Sequence, residues 1–264
     1  MTSASITSRR AVAAGRWRAV LAPIILGLVV LVLWQAFVTV LAVKPFVLPG
    51  PLAIAEQFGR NLGPVWATVL VTSYNAFVGL VVGTVFGIVA AILSAAFRVL
   101  DRISAPVVTA AAVIPIVSLA PVLYTMFGAS VQTARQLVAA LAVFIPVYVN
   151  TLRGLRNTKP VHRDLLRAYA ASRWQATRTV TLPGALPFLL TGIRIASSLA
   201  VISALVAEYF GGPVGGLGKA ITSAVSSSNY ALAWAFVLGA IITGLIFYLA
   251  TLALEKVATR HRSP

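Results

Sequence analysis

Six apolar runs dominate this chain, at about 19–43, 66–97, 104–128, 134–152, 188–210 and 231–254. Each is close to or longer than the ~20 residues needed to cross a hydrocarbon core. A backbone in lipid must satisfy its polar groups internally, and these runs are far too long for barrel strands. The expected fold is therefore all-α, a polytopic membrane protein with about six transmembrane helices. The composition agrees, with 59% hydrophobic and 10% charged residues among 264, well outside the soluble average.

The formal net charge of +16 would suit a partner rich in phosphate. No separate basic module exists to bind nucleic acid, however, because Lys and Arg lie in the gaps between apolar runs. Their distribution sets orientation instead. With the N-terminus inside, seventeen basic residues fall on the cytoplasmic side, including Arg9, Arg10, Arg16, Arg18, Lys159, Arg163 and Arg262, against Lys44, Arg60, Arg135 and Lys219 outside. Both termini are then expected in the cytoplasm. The expected parts are a cytoplasmic N-terminal segment 1–18, a transmembrane domain 19–254, and a cytoplasmic tail 255–264. The first apolar run is too long for a cleaved signal core.

Cysteine is absent and the two histidines, His162 and His261, sit among basic residues, so neither a metal site nor a disulfide framework is expected. No cofactor is called for. Outside, Leu48, Pro49, Gly50 and Pro51 precede Leu52, Ile54, Ala55 and Phe58, at a spacing that predicts a short interfacial helix. Pro106, Pro115, Pro121 and Pro146 lie within apolar runs and should kink their helices.

The hydrophilic stretch 153–187 faces the cytoplasm in this topology. Pro160 suits a first helical turn, Asp164 sits early where the dipole favours an anion, and Leu165, Leu166, Tyr169 and Ala170 recur at helical spacing. A second helix, from about Ser172 to Val180, is predicted to stop before Leu182, Pro183 and Gly184. Such a pair could bind anionic headgroups or fill a groove on a soluble partner.

These residues resemble the permeases of binding-protein-dependent ATP-binding-cassette importers, in the branch that handles sulfonates, taurine, nitrate and thiamine-related pyrimidines. That family's cytoplasmic signature is Glu-Ala-Ala, three residues, Gly, nine residues, Ile, one residue, Leu-Pro. Here Asp164, Leu165 and Leu166 stand first, Ala170 at the glycine, Val180 at the isoleucine, and Leu182 and Pro183 at the end. The spacing is kept, whereas Asp replaces Glu, two leucines replace alanines, and Ala170 replaces glycine. LeuProGlyPro at 48–51, ProValLeuTyrThrMetPheGly at 121–128, ThrGlyIleArgIleAla at 191–196, AlaGlu at 207–208 and GlyGlyLeuGly at 215–218 also resemble this branch.

The resemblance implies a permease subunit that translocates a small solute while a partner chain hydrolyses ATP. It implies an ABC ATPase docked on a coupling helix, an extracytoplasmic solute-binding protein, and a second permease subunit, with a homodimer as the expected pair. Asp164, Leu165, Leu166, Tyr169, Ala170, Leu182 and Pro183 would form the docking segment. Polar groups within spans are the default pathway candidates: Tyr74, Asn75, Thr109, Ser118, Tyr124, Ser197, Ser203 and Glu208. For any one of them a helix-to-helix hydrogen bond is the simpler use. Arg194 should snorkel to the inner interface.

The stretch 211–219 superficially resembles a phosphate-binding loop. Pro213 stands where its first Gly belongs and Ala220 where a magnesium-binding hydroxyl is needed, so an outer re-entrant turn is expected instead. The alternative function is a stand-alone secondary transporter or channel. Ion-coupled carriers place acids deep in their spans, whereas the five here, Glu56, Asp101, Asp164, Glu208 and Glu255, fall at ends or in loops. An intramembrane enzyme lacks any cluster of nucleophile, base and metal ligands.

Overall fold

The computed structural model describes the backbone of residues 4–157, 160–211 and 215–260, and their side chains from Leu21 onward except at 117, 160 and 163. The side chains of Arg9, Arg10, Arg16, Arg18, Lys159, Arg163 and Arg262, the ring of His261 and residues 212–214 thus lie outside it. Every described element is helical: α1 (Ala4–Val40), α2 (Pro51–Arg60), α3 (Leu62–Ala96), α4 (Arg98–Val113), a 3₁₀ turn at Ile116–Leu119, α5 (Ala120–Phe127), α6 (Thr133–Arg156), α7 (Pro160–Ala168), α8 (Arg173–Ala176), a π turn at Thr177–Thr181, α9 (Leu182–Phe210), α10 (Leu217–Ser226) and α11 (Tyr230–Thr259).

Among the described residues, five helical stretches are long and apolar enough to cross a membrane: Leu21–Val40, α3, α6, Arg173–Phe210 and α11. The remaining predicted span, 104–128, is not one helix. Ile114 takes extended backbone angles (φ −64°, ψ 127°), as a residue before proline must to avoid the Pro ring. Pro115 then has no N–H to continue the ladder, and the chain passes through the 3₁₀ turn into α5. The broken pair α4–α5 replaces the sixth continuous helix.

At the centre α3, α6 and α9 pack through small side chains: Ala76, Ala139, Val143, Val147, Ala196, Ala200, Val201 and Ala204 form one buried cluster. Gly79, Gly83 and Gly87 line the α3 face against α6. A Cβ on Gly83 would strike the Ala140 carbonyl and come within 2.7 Å of Val143 Cβ. Close backbone approach through small residues is how helices gain packing energy where lipid supplies no hydrophobic drive. The outward side chains of α1, α3 and α11 are large and apolar, among them Leu26, Phe86 and Ile246, as lipid contact requires.

The predicted short helix after the first span is present as α2, with Pro51 at its start where a missing N–H costs nothing. No residue of the Leu21–Val40 segment of α1 is fully buried. It meets the bundle mainly where the Trp34 ring contacts Trp234 edge-on at 5.8 Å and where Leu52 N donates to Gln35 Oε1 at 3.1 Å. A cleft of 910 Å³ separates α1, α2 and α11.

Candidate functional site

Two constellations stand at opposite ends of α9. At its N-terminal end, α7 closes in a left-handed turn. Ala171 N donates to Leu166 O at 3.0 Å and Ala170 N to Arg167 O at 3.0 Å, with Ala170 at φ +49°. That bond pair is a Schellman cap, and Ala170 occupies the position that glycine usually takes. Ser172 then caps α8, accepting from Gln175 N at 3.3 Å while Ser172 N donates to Gln175 Oε1 at 2.8 Å, a reciprocal capping box. The chain is thereby turned from α7 directly into the next helix.

The predicted stop before Pro183 does not occur. The helix runs on from Arg173 to Phe210, and Leu182 is fully helical (φ −64°, ψ −48°). The π turn widens the ladder just ahead of Pro183, which sits at the start of α9. Carbonyls there need no amide at the usual spacing, so the proline is accommodated. Gly184, expected to make a turn, is a helical surface residue.

Asp164 lies in the second turn of α7 rather than the first. It pairs with Arg167 at 3.7 Å, both exposed, an arrangement of little energetic weight. Leu165 is 55% and Tyr169 78% exposed. Leu166 is half-buried against the permease body, in a groove of 410 Å³ lined also by Gly154, His162, Val180 and Pro183. Leu182 is exposed and Pro183 half-buried. Nearby, Asp101 and Arg156 join α4 to α6 at 2.6 Å. Arg194, expected to snorkel, instead pairs with Glu255 of α11 at 3.2 Å, and Thr191 donates to the same carboxylate at 2.8 Å.

At the far end of α9 lies a buried polar cluster. Glu208, fully enclosed, accepts from Thr72 Oγ1 at 2.8 Å, Asn75 Nδ2 at 3.3 Å and Gly218 N at 3.0 Å. Leu217 N donates to Thr72 Oγ1 at 2.9 Å. Glu208 and Thr72 thus hold the first two amides of α10, where a helix dipole favours an anion. Asn75 also donates to Gln132 Oε1 at 2.9 Å and accepts from Gln136 Nε2 at 3.3 Å. Gln132 Oε1 accepts from Arg135 Nη1 at 2.6 Å. Arg135 Nε donates to Tyr124 OH at 3.1 Å, and Tyr124 OH to Ala207 O at 2.9 Å. Arg135 is also fully enclosed.

Of the pathway candidates, the structure therefore gathers Asn75, Tyr124 and Glu208 into one enclosed cluster. Ser197 and Ser203 are buried elsewhere along α9, Ser197 donating to Arg194 O at 2.7 Å. Tyr74 points outward, 60% exposed, and Thr109 and Ser118 are exposed on the broken pair. Arg135, counted on the outer side, sits in the first turn of α6 and is enclosed rather than displayed at the surface. Glu208 does lie at a helix end, as expected, yet inside the protein. The GlyGlyLeuGly word also finds its reason here. A Cβ on Gly216 would collide with the Glu208 carboxylate, and one on Gly218 with the Leu205 carbonyl, so these glycines permit close approach around the acid. Thr72, Gln132 and Gln136 carried no signal in the sequence beyond being polar beside apolar runs.

An all-helical bundle with an apolar exterior, a broken membrane helix and polar groups tied inside defines a multi-pass membrane protein. Residues 83–263 match the family described as the binding-protein-dependent transport system inner membrane component, and the chain belongs to that family. It is 36% identical to the riboflavin transport system permease protein RibX of Chloroflexus aurantiacus, over 92% of this chain and 91% of that one. To the formylaminopyrimidine transport permease protein ThiX of Halalkalibacterium halodurans it is 31% identical, over 72% and 76%. To the taurine transport system permease protein TauC of Escherichia coli it is 29% identical, over 74% and 73%. Among solved structures, an amino acid ABC transporter chain superposes with TM-score 0.58 at 16% identity, over 75% of this chain and 92% of that one. A chain of the inward-facing MetNI methionine ABC transporter does so with TM-score 0.55 at 20% identity, over 74% and 94%. This chain is the permease subunit of an ATP-binding-cassette importer, a transport subunit driven by ATP hydrolysis on a partner.

Proposed function

We propose that two copies of this chain form the translocation unit of an importer for a planar, nitrogen-rich heteroaromatic vitamin or precursor. An extracytoplasmic solute-binding protein delivers the cargo, and both termini and α7 face the cytoplasm, where an ATPase docks on α7. The observation that carries the docking reading is the pair Leu165 and Tyr169, apolar and exposed on a short helix outside the membrane-length elements. Leu166 anchors that helix from behind. Apolar side chains displayed on a rigid helix are what a soluble partner's groove takes up.

The similarity to RibX over nearly the whole chain supports a flavin-like cargo over a sulfonate. The break at Ile114–Pro115 supports a pathway beside α4–α5, because irregular backbone at membrane depth is tolerated only against protein or water. Val113, 80% exposed, leaves room beside the break for a second protomer.

Proteoliposomes holding the complex of this chain, its ATPase and binding protein would be tested for uptake of labelled riboflavin and labelled taurine. Riboflavin uptake that requires ATP and exceeds taurine uptake is the expected result. Taurine preference would overturn the cargo assignment, and uptake by this chain without an ATPase would favour the stand-alone transporter.

A further inference from the structure

The docking segment and the Glu208 cluster are joined by one helical path. From the Ser172 cap, residues Arg173–Phe210 run without a loop for 38 residues, about 57 Å at 1.5 Å per residue. The π turn and Pro187 within α9 are the irregularities along it. With the ATPase docked on α7 as proposed, a push there would enter α9 through the capped turn. Near the far end of α9, Ala207 O accepts from Tyr124 of α5, and Glu208 accepts from Thr72 and Asn75 of α3 and from the Gly218 amide of α10. Through Asn75 and Gln132 the same cluster reaches Arg135 in α6. Five elements meet on two buried, oppositely charged residues.

Buried charge is a poor way to gain stability, since desolvation offsets much of the attraction and an apolar replacement often serves as well. What it supplies is directionality, because each partner must keep its bond or leave a charge unsatisfied. The bundle already has ample apolar packing between α3, α6 and α9, and the cluster lies beyond that core, where α10 would otherwise be held chiefly by its apolar face against α11.

We propose that Glu208 and Arg135 are positioning residues for transport: their cluster latches the far ends of α3, α5, α6, α9 and α10 into one body. Displacement applied at α7 then arrives there as a single movement instead of being lost in local sliding. The latch rests on the docking of the ATPase at α7 proposed above, and is independent of which cargo is carried.

The test uses the complete complex with its ATPase. The chain contains no cysteine, so spin labels can be placed uniquely at Gly63→Cys, where an added Cβ meets no atom within 4 Å, and Ser223→Cys, an exposed position on α10. Labelled chain is diluted with unlabelled chain, and the α3–α10 distance is measured without nucleotide and after trapping with ATP and vanadate. The native cluster should give one narrow distance, the same in both states. Thr72→Val removes a donor to Glu208 and the acceptor for Leu217 N while leaving both charges in place. Glu208→Gln removes the charge. Both should add a second distance in the trapped state while ATP hydrolysis persists. A wild-type distance that itself shifts between states overturns the latch, as does a Thr72→Val complex with the wild-type distance in both. If Glu208→Gln fails to assemble, Thr72→Val decides. A role confined to stability would lower the yield of both variants without changing the distances in complexes that form.

Discussion

Replacing Leu165 and Tyr169 together by alanine removes two side chains that this protomer leaves uncovered. An aromatic side chain presents about 150–250 Å² for burial, and Tyr169 is 78% exposed. Roughly 120–190 Å² of it is thus left for a partner, worth about 3–5 kcal/mol at ~25 cal/mol per Å². Leu165, 55% exposed, adds about 1–1.5 kcal/mol on the same scale. Interfaces return less than their area implies, since side-chain ordering and imperfect cover cost free energy. Taking half leaves about 2–3 kcal/mol per docking site, or roughly a 30- to 200-fold weaker Kd. The assay is titration of purified ATPase onto the permease in nanodiscs, with the variant's melting profile measured alongside. Because neither side chain is buried in the protomer, melting should be unchanged. A variant that melts normally and binds ATPase within about threefold of wild type would refute docking through these residues.

Three further outcomes follow from packing. Gly83→Ala would drive a methyl into the Ala140 carbonyl and should destabilise the α3–α6 contact by about 1–3 kcal/mol, read as a lower melting temperature in detergent. Ala170→Gly should hold the α7 cap at least as firmly, because a non-glycine residue at φ +49° costs about 1–2 kcal/mol. Ala170→Val should loosen it, and limited proteolysis after α7 reads both. Asp101→Asn breaks a pair whose side chains are 34% and 47% exposed, so less than about 1 kcal/mol and no resolvable shift in melting are expected.

Hydropathy exposed the spans because lipid demands long uninterrupted apolar stretches, and the short helices α2 and α7 followed from Pro51, Pro160 and amphipathic spacing. Pattern alone could not divide 104–128. Apolar runs look alike whether the helix continues or breaks, and of the prolines inside them only Pro115 breaks its helix, whereas Pro106 and Pro146 are carried within α4 and α6. Pro183 misled in the opposite direction, since a π turn spread over Thr177–Thr181 leaves no composition signal. Ala170 was legible as a glycine position from the family spacing, and its positive φ gives that position a physical meaning. The Glu208 cluster was the least visible. Arg135 reads as a cation on the outer side; its partners Tyr124 and Gln132 stand 11 and 3 positions away, and Asn75, bonded to Gln132, stands 60 away, brought in only by helix packing.

If the ATPase docks as proposed, this permease receives its driving movement through α7. The most direct test places a photoreactive phenylalanine analogue at Tyr169 and irradiates membranes of the native cell. One dominant adduct is expected, its added mass that of an ABC ATPase, and it should be lost when Leu165 is replaced by Asp. An adduct with lipid alone, in membranes where the ATPase is shown to be bound to the complex, would contradict it.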